Sequence, residues 1–203
     1  MVRLFVAIDL PAEVRARLGG LGAGVPGARW VDPEQIHLTL RFIGEVDGGA
    51  FEDVRLALGA VQAQRFDLML DGVGHFGDRR RVRAVWAGVA PGAALDRLAA
   101  QIEAALVGAG LESERRKFKA HVTLARLRGA PVSRVADFLA NNALFQAGPI
   151  AVDRFQLYSS RLGNAGPSYS IEASYDLVEA LQTPNLLRAE STLPTWLPPS
   201  PQR

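Results

Sequence analysis

The 203-residue chain contains no cysteine, only three histidines and no long apolar run. Without a thiol, disulfides, cysteine nucleophiles and cysteine-ligated zinc are excluded, and three scattered histidines lack the spacing of metal ligands. We therefore expect neither a metal nor another cofactor. The apolar start is too short for a signal peptide, and no segment reaches the roughly 18 apolar residues of a membrane span. These absences predict a cytoplasmic protein without membrane contact.

Charge of one sign is not in large excess, since the formal net charge is only +2. That balance alone does not indicate a nucleic-acid-binding protein. The basic residues nevertheless form two groups: Arg79, Arg80, Arg81 and Arg83, and then Arg115, Arg116, Lys117 and Lys119. Each group is either a solvated loop or a surface that faces phosphates, and its position relative to the catalytic residues must decide.

Apolar spacing along the chain predicts an α+β fold with antiparallel hairpins. Strand patterns occur over residues 4–8, 35–43, 66–70, 82–89, 119–127, 150–158 and 169–178. Helical spacing follows Pro11 and recurs over residues 51–61, 95–106 and 132–139, while glycines indicate a turn over 71–78. Five of the twelve prolines lie beyond Thr183. The chain thus divides into a domain over residues 1–182 and a Pro-rich, extended or disordered tail over 183–203.

Two tetrapeptides carry the most specific signal, His37-Leu38-Thr39-Leu40 and His121-Val122-Thr123-Leu124. Each lies in an alternating strand, so its histidine and threonine project to one face and its aliphatic residues to the other. Of five threonines, three lie beyond residue 182, and the other two both follow a histidine by two positions. Chance produces such a pairing for about one histidine in forty, so two matched pairs indicate a shared function.

A pair of histidines with adjacent hydroxyls suits the hydrolysis of a cyclic phosphodiester without a metal. The reaction needs a base that takes a proton from water and an acid that protonates the departing ribose oxygen. Imidazole can do either near neutral pH because its reference pKa is about 6.5. In-line displacement requires the two imidazoles to flank the phosphate, while the hydroxyls of Thr39 and Thr123 donate to its non-bridging oxygens.

The sequence resembles the 2H phosphoesterases, which are named for two His-x-Thr-x motifs, and in particular the RNA 2′,3′-cyclic phosphodiesterases, also called 2′-5′ RNA ligases. Further similarity lies in residues 3–11, 29–31, 41–46 and 157–160. The resemblance implies two pseudo-symmetric lobes whose antiparallel sheets line a central cleft, with helices outside. It also implies that His37 is the proton donor and His121 the proton acceptor. Ala120 departs from the family pattern, which usually has proline before the second motif.

The implied reaction is hydrolysis of the 2′,3′-cyclic phosphate end of an RNA to a 2′-phosphate by a monomeric protein. Joining RNA ends through a 2′-5′ linkage is an alternative in the same site, because microscopic reversibility lets one site catalyse both directions. Hydrolysis of a small cyclic nucleotide is another. A non-catalytic RNA- or nucleotide-binding module is the third, although binding alone requires no matched acid and base.

Three basic residues near the motifs are candidates for substrate contact. Strict alternation places Lys119 and Arg41 on the face of the motif residues, and Arg126 on the opposite face unless the strand twists. Four further residues are ambiguous between packing and substrate contact. We interpret His75 as a loop histidine and Phe42 as a core residue. Tyr158 and Tyr169 stay open between packing and stacking on a nucleobase.

Overall fold

The computed structural model describes residues 1–78, 81–163 and 166–179, so the tail over 183–203 lies outside the described residues. The helices are α1 Ala12–Gly19, α2 Gly48–Gly59, α3 Ala93–Gly108 and α4 Val132–Asn141, and Pro33–Gln35 forms a 3₁₀ turn. The strands are β1 Val2–Asp9, β2 Ala28–Trp30, β3 His37–Val46, β4 Phe66–Gly77, β5 Val82–Val89, β6 His121–Leu127, β7 Gln146–Val152, β8 Arg154–Gly163 and β9 Gly166–Asp176. None of these four helices is long and apolar enough to cross a membrane.

All nine strands belong to one antiparallel sheet in the order β7-β4-β5-β6-β3-β1-β8-β9, with β2 paired to β6. The sheet has two halves, one built from β4 to β7 and the other from β1, β3, β8 and β9. They meet where β3 and β6 pair through Leu38 and Val122. The predicted α+β class and the two antiparallel lobes are confirmed, and the lobes are joined edge to edge.

The four helices cover one face of the sheet and bury its apolar side chains. In α3 the buried residues recur every three or four positions, which is the spacing of a helix with one apolar face: Leu95, Leu98, Ile102 and Leu106. All four helices contribute to the same core cluster. A smaller cluster, Phe5, Ala7 and Tyr158 with Tyr169 beside it, lies on the other face of β1. That second face is the one left for a site.

The predicted turn over residues 71–78 is wrong, because β4 continues through this segment to Gly77. Its glycines serve other purposes. Gly72 has a φ of +65° where the register against β5 shifts, which is typical of a bulge. Gly74 lets the Trp86 ring approach the backbone, since an added Cβ would lie 2.3 Å from a ring atom. The predicted strand over 150–158 is instead two strands, β7 and β8, that are separated at Asp153.

Candidate active site

The two tetrapeptides lie at the junction between the halves of the sheet. Leu38 of β3 pairs with Val122 of β6 in an antiparallel ladder, so the register directs each histidine toward the threonine of the other strand. Leu38 and Val122 are buried in the core. By alternation, the opposite face carries the four polar side chains His37, Thr39, His121 and Thr123. The arrangement approximates a two-fold axis through the Leu38–Val122 pair.

Both motif strands contain a β-bulge at the fourth residue of the tetrapeptide. The register of β3 against β1 shifts at Leu40, and the register of β6 against β5 shifts at Leu124. One extra residue reverses the alternation beyond it. Arg126 therefore returns to the face of His121, and Phe42 occupies the equivalent position in β3. Strict alternation had placed Arg126 on the opposite face.

A cavity of about 580 Å³ lies over this face of the sheet. Among its lining residues are three of the four motif side chains and Arg126: His37, Thr39, Thr123 and Arg126. His121 shares the face of Thr123 and packs edge-on against Phe76, with ring centroids 4.7 Å apart. The structure therefore brings both motifs to one cavity.

The charged residues around the cavity are mainly basic. Arg3, Arg29 and Arg126 line it, while Asp32 is its one acidic lining residue in the described part of the chain. The Asp32 carboxylate already accepts a hydrogen bond of 2.9 Å from the backbone N–H of Glu34. Among the described residues, no three His, Asp or Glu side chains form a group that could hold a metal ion. The cavity suits an anion.

The two imidazole rings are held by equivalent backbone hydrogen bonds. Nδ1 of His37 lies 2.7 Å from the carbonyl oxygen of Gln35, and Nδ1 of His121 lies 2.7 Å from that of Lys119. Because a carbonyl oxygen only accepts, Nδ1 carries the hydrogen in both rings. Nε2 then has a lone pair in the neutral ring and a hydrogen to donate in the charged ring. Each ring can exchange a proton through Nε2 without reorienting.

The surroundings of His37 combine aromatic burial with a negative charge. Burial lowers the pKa of His37, whereas the hydrogen bond to the Gln35 carbonyl and the charge of Asp9 both raise it. The Phe5 ring stacks on the imidazole at 4.9 Å, and Tyr169 meets it edge-on at 5.4 Å. Asp9 is the residue of β1 directly opposite His37. A carboxylate thus favours the protonated form of this histidine.

Two side chains of β8 hold Asp9 in place. The Tyr158 hydroxyl donates to one carboxylate oxygen of Asp9. The amide nitrogen of Gln156 donates to the other carboxylate oxygen at 2.6 Å. Burial, followed by the hydrogen bond to Asp9, raises the pKa of Tyr158 far above its ordinary value. The hydroxyl therefore keeps its hydrogen. Tyr158 also stacks on Phe5 at 5.0 Å, so it supports the histidine through two neighbours.

The surroundings of His121 differ in the sign of the nearby charge. Burial lowers the pKa of His121, the hydrogen bond to the Lys119 carbonyl raises it, and the Lys119 ammonium lowers it. That ammonium lies 4.4 Å from the centroid of the Trp86 ring, within the range of a cation–π contact. Trp86 meets His121 edge-on at 6.3 Å. The residue of β5 opposite His121 is the uncharged Gly88.

Two of the three predicted basic contacts do not line the cavity. The bulge at Leu40 turns Arg41 toward α3, where its guanidinium pairs with Glu103 at 2.5 Å and donates to the Glu112 carbonyl at 2.7 Å. The expectation of substrate contact by Arg41 is therefore corrected. Lys119 is exposed and lies beside His121 rather than in the cavity wall.

Two aromatic side chains also differ from their predicted positions. Phe42 is 59% exposed and lines the cavity, so its interpretation as a core residue is wrong. His75 lies in β4 opposite Val85 rather than in a loop. Its neighbour Phe76 is the residue that contacts His121, so alternation places His75 on the face away from the site.

Of the basic group at 79–83, Arg79 and Arg80 lie outside the described residues.

Sequence reasoning missed the residues that support the two rings. Phe5 and Asp9 belong to an alternating set on one face of β1, but the continuous apolar run of this strand concealed it. The predicted turn over 71–78 concealed Phe76, whereas Trp86 lies in the predicted strand over 82–89, where nothing in the pattern singles it out. Arg29 belongs to one of the segments that carry the resemblance. The sequence offers one weak signal for such supporting residues: an aromatic side chain in a strand that lies beside a motif strand.

Comparison with known proteins places this geometry in a family. The family model described as LigT like Phosphoesterase matches the chain twice, over residues 8–86 and 89–169. Each match contains one tetrapeptide. The double match agrees with the approximate two-fold axis between the two halves of the sheet.

Curated relatives are similar over most of their length. A Thermus thermophilus protein is 36% identical over 188 residues, which cover 87% of this chain and 90% of the relative. An Archaeoglobus fulgidus protein is 33% identical over 171 residues, which cover 83% of this chain and 96% of the relative. Both bear the name RNA 2′,3′-cyclic phosphodiesterase.

Solved structures share the fold. The crystal structure of Escherichia coli LigT complexed with 3′-AMP has a TM-score of 0.71 at 29% identity, covering 88% of this chain and 99% of that one. A crystal structure from Thermus thermophilus has a TM-score of 0.70 at 29% identity, covering 87% and 98%. The fold and the repeated motifs are those of a phosphoesterase. The chain belongs to the LigT-like phosphoesterase family, which confirms the resemblance seen in its motifs.

Proposed function

We propose that this protein hydrolyses the 2′,3′-cyclic phosphate at the end of an RNA to a 2′-phosphate, without a metal and as a single chain. The observation that carries the proposal is the pair of equivalently held imidazoles, each with Nε2 available and a threonine of the facing motif nearby. The shared name of the curated relatives supports the RNA 2′,3′-cyclic phosphate as substrate.

The reaction uses one histidine on each side of the phosphorus. Nε2 of His121 accepts a proton from a water molecule as the water oxygen attacks phosphorus. The P–O3′ bond breaks on the opposite side, and the Nε2 hydrogen of His37 protonates O3′ as it leaves. Thr39 and Thr123 donate to the non-bridging oxygens, where negative charge develops. Proton exchange with solvent then restores both rings.

Unequal electrostatics support this assignment of acid and base. Burial lowers the pKa of His37, and the charge of Asp9 opposes that shift and so favours the proton that the leaving oxygen needs. Lys119 lowers the pKa of His121 and so keeps that ring neutral and able to accept. The two-fold arrangement alone would leave the roles interchangeable, and these two charged neighbours support the assignment of His37 as acid and His121 as base.

Phosphorus NMR of a nucleoside 2′,3′-cyclic phosphate digested in excess EDTA tests the broken bond and the need for a metal together. We expect complete conversion to the 2′-phosphate at an undiminished rate, because the imidazoles supply both proton transfers. A 3′-phosphate product would contradict the cleavage of P–O3′. Loss of turnover that a specific divalent ion restores would contradict the metal-free mechanism.

Alanine substitutions test whether both histidines are catalytic. We expect His37→Ala and His121→Ala each to lower kcat by roughly 10²- to 10⁴-fold, and Thr39→Ala and Thr123→Ala by about 10- to 10³-fold. His75→Gln is the matched control, since it removes the third imidazole on the face away from the site, and it should retain turnover. Near-normal turnover in either catalytic histidine variant, with its fold verified by circular dichroism, would exclude the two-histidine mechanism.

A further inference from the structure

The basic group that precedes the second motif lies in the α3–β6 loop, residues 109–120. Its four basic side chains are exposed, and within residues 1–78, 81–163 and 166–179 none of them forms an ion pair: Arg115, Arg116, Lys117 and Lys119. Of the two acidic residues in the loop, Glu114 lies 3.6 Å from the Arg41 guanidinium and accepts the backbone N–H of Arg116 at 3.1 Å. The loop therefore keeps an excess of positive charge on its outer surface.

Hydrogen bonds to α3 and β3 hold this loop in place. The Glu103 carboxylate of α3 accepts the Ser113 hydroxyl at 3.1 Å and the backbone N–H of Glu114 at 2.7 Å. The guanidinium of Arg41 in β3 pairs with the same carboxylate and donates to the Glu112 carbonyl oxygen at 2.7 Å. Three consecutive residues are thus fixed immediately before the basic group begins. A loop that is ordered in advance loses less conformational entropy when it binds a ligand.

The loop borders the catalytic residues on the side of His121. Arg41, which holds the start of the loop, also donates to the backbone carbonyl of Phe42, and Phe42 lines the cavity. At the end of the loop, the carbonyl oxygen of Lys119 holds Nδ1 of His121 at 2.7 Å. Since an extended chain spans at most about 3.6 Å per residue, Arg115, which precedes His121 by six positions, lies within roughly 22 Å of it. An RNA chain of a few nucleotides whose end is in the site can reach that far.

We propose that Arg115, Arg116, Lys117 and Lys119 form a docking surface for the phosphate backbone of the RNA whose cyclic end lies in the site, so that the protein prefers a longer RNA to a mononucleotide. This inference rests on the proposed function, which makes an RNA the substrate. Clustered lysine and arginine side chains bind a polyanion by neutralising its phosphates and releasing counterions, independently of base sequence. The position of the group beside His121 favours a surface that faces phosphates over a solvated loop.

Two double variants test the docking surface: Arg115→Gln/Arg116→Gln and, as the matched control, Arg97→Gln/Arg134→Gln. Each removes two positive charges from exposed side chains, but Arg97 lies in α3 and Arg134 in α4, on helices that cover the opposite face of the sheet. We measure kcat/KM for a nucleoside 2′,3′-cyclic phosphate and for a decanucleotide with the same cyclic end. The ratio of decanucleotide to mononucleotide should fall roughly tenfold in the loop variant and stay within about twofold in the control. The salt slope for decanucleotide binding should decrease by about 1.4 in the loop variant alone, because two phosphate contacts on a single strand are lost.

An unchanged ratio in the loop variant, or an equal fall in the control, would overturn the docking surface, with the fold of both variants verified by circular dichroism. Anisotropy measurements with a labelled decanucleotide that ends in a 2′-phosphate separate this failure from that of the proposed function. If the loop variant alone loses affinity for this ligand but the native protein hydrolyses no cyclic phosphate, the hydrolase proposal fails and the docking surface stands. If the native protein hydrolyses both substrates but the loop variant binds the decanucleotide as tightly as the native protein does, the docking surface fails.

Discussion

Asp9 and Lys119 place opposite charges beside two otherwise equivalent imidazoles. The proposed mechanism requires His37 protonated and His121 neutral, so we expect the rate to fall at low pH through the pKa of His121 and at high pH through the pKa of His37. Burial lowers both pKa values. The bell-shaped profile is therefore displaced to lower pH than two solvent-exposed histidines would produce.

Asp9→Asn tests this assignment at the alkaline limb. The variant keeps the size of the side chain and an oxygen acceptor for Tyr158 but removes the charge that raises the pKa of His37. That pKa falls, so the alkaline limb of the kcat profile should move to lower pH while the acidic limb stays. Because Asp9 is exposed, the displacement should diminish with added salt.

Lys119→Gln is the matched charge-removal control. It removes the ammonium that lowers the pKa of His121, so that pKa rises and the acidic limb should move to higher pH. The alkaline limb should remain in place. If both variants moved the same limb, the assignment of acid and base would be wrong.

At the residue scale, His37, Thr39, His121 and Thr123 could be predicted because alternation within a strand is a local property. Asp9 could not, because its position opposite His37 depends on the pairing of β1 with β3. That ladder contains two register shifts, and no spacing in the sequence reveals them.

At the scale of elements, β4 and β5 show how a glycine can determine where an aromatic side chain lies. An added Cβ at Gly74 would lie within 2.3 to 2.8 Å of three atoms of the Trp86 ring. Trp86 in turn contacts His121 and carries the Lys119 ammonium on its face. The glycine-rich composition of residues 71–78 favours a turn, but pairing with β5 makes this segment a continuation of β4.

Gly74→Ala should therefore destabilise the fold and impair catalysis together. The displaced indole should cost about 1–3 kcal/mol in the free energy of unfolding and lower kcat through the altered contact with His121. Urea denaturation followed by circular dichroism measures the first effect, and steady-state kinetics the second. Gly108→Ala is the matched control without loss of stability, because an added Cβ there meets nothing within 4 Å. A Gly74→Ala variant as stable as the native protein would contradict the close contact.

At the scale of the whole molecule, the helices, the strand types and the two-lobed sheet followed from apolar periodicity and from resemblance. The joining of the lobes did not, because one pair, Leu38–Val122, connects β3 to β6 and nothing local encodes it. Both family matches end by residue 169, and the last buried residue of the described chain is Leu177. We propose that residues 1–182 are a complete folding and catalytic unit.

A chain that ends at Gln182 tests this boundary. It keeps Val178, whose backbone N–H donates to the Ala63 carbonyl at 2.9 Å. We expect its Tm to match that of the full chain and its kcat/KM to stay within about twofold, because it retains both family matches and the last buried residue of the described chain, Leu177. A clear fall in Tm, measured by differential scanning calorimetry, would show that the tail packs on the domain.

The bulges at Leu40 and Leu124 limit the regular alternation of side chains in each motif to four residues. From the histidine to the fourth residue, odd and even positions keep fixed faces, and beyond it the parity inverts. Deleting Leu40 would remove the bulge and leave a regular ladder in which Thr39, Arg41 and Phe42 keep their partners in β1. Because the bulge lies at the same position in both motifs, Phe42 and Arg126 occupy equivalent positions on the cavity face of the two halves.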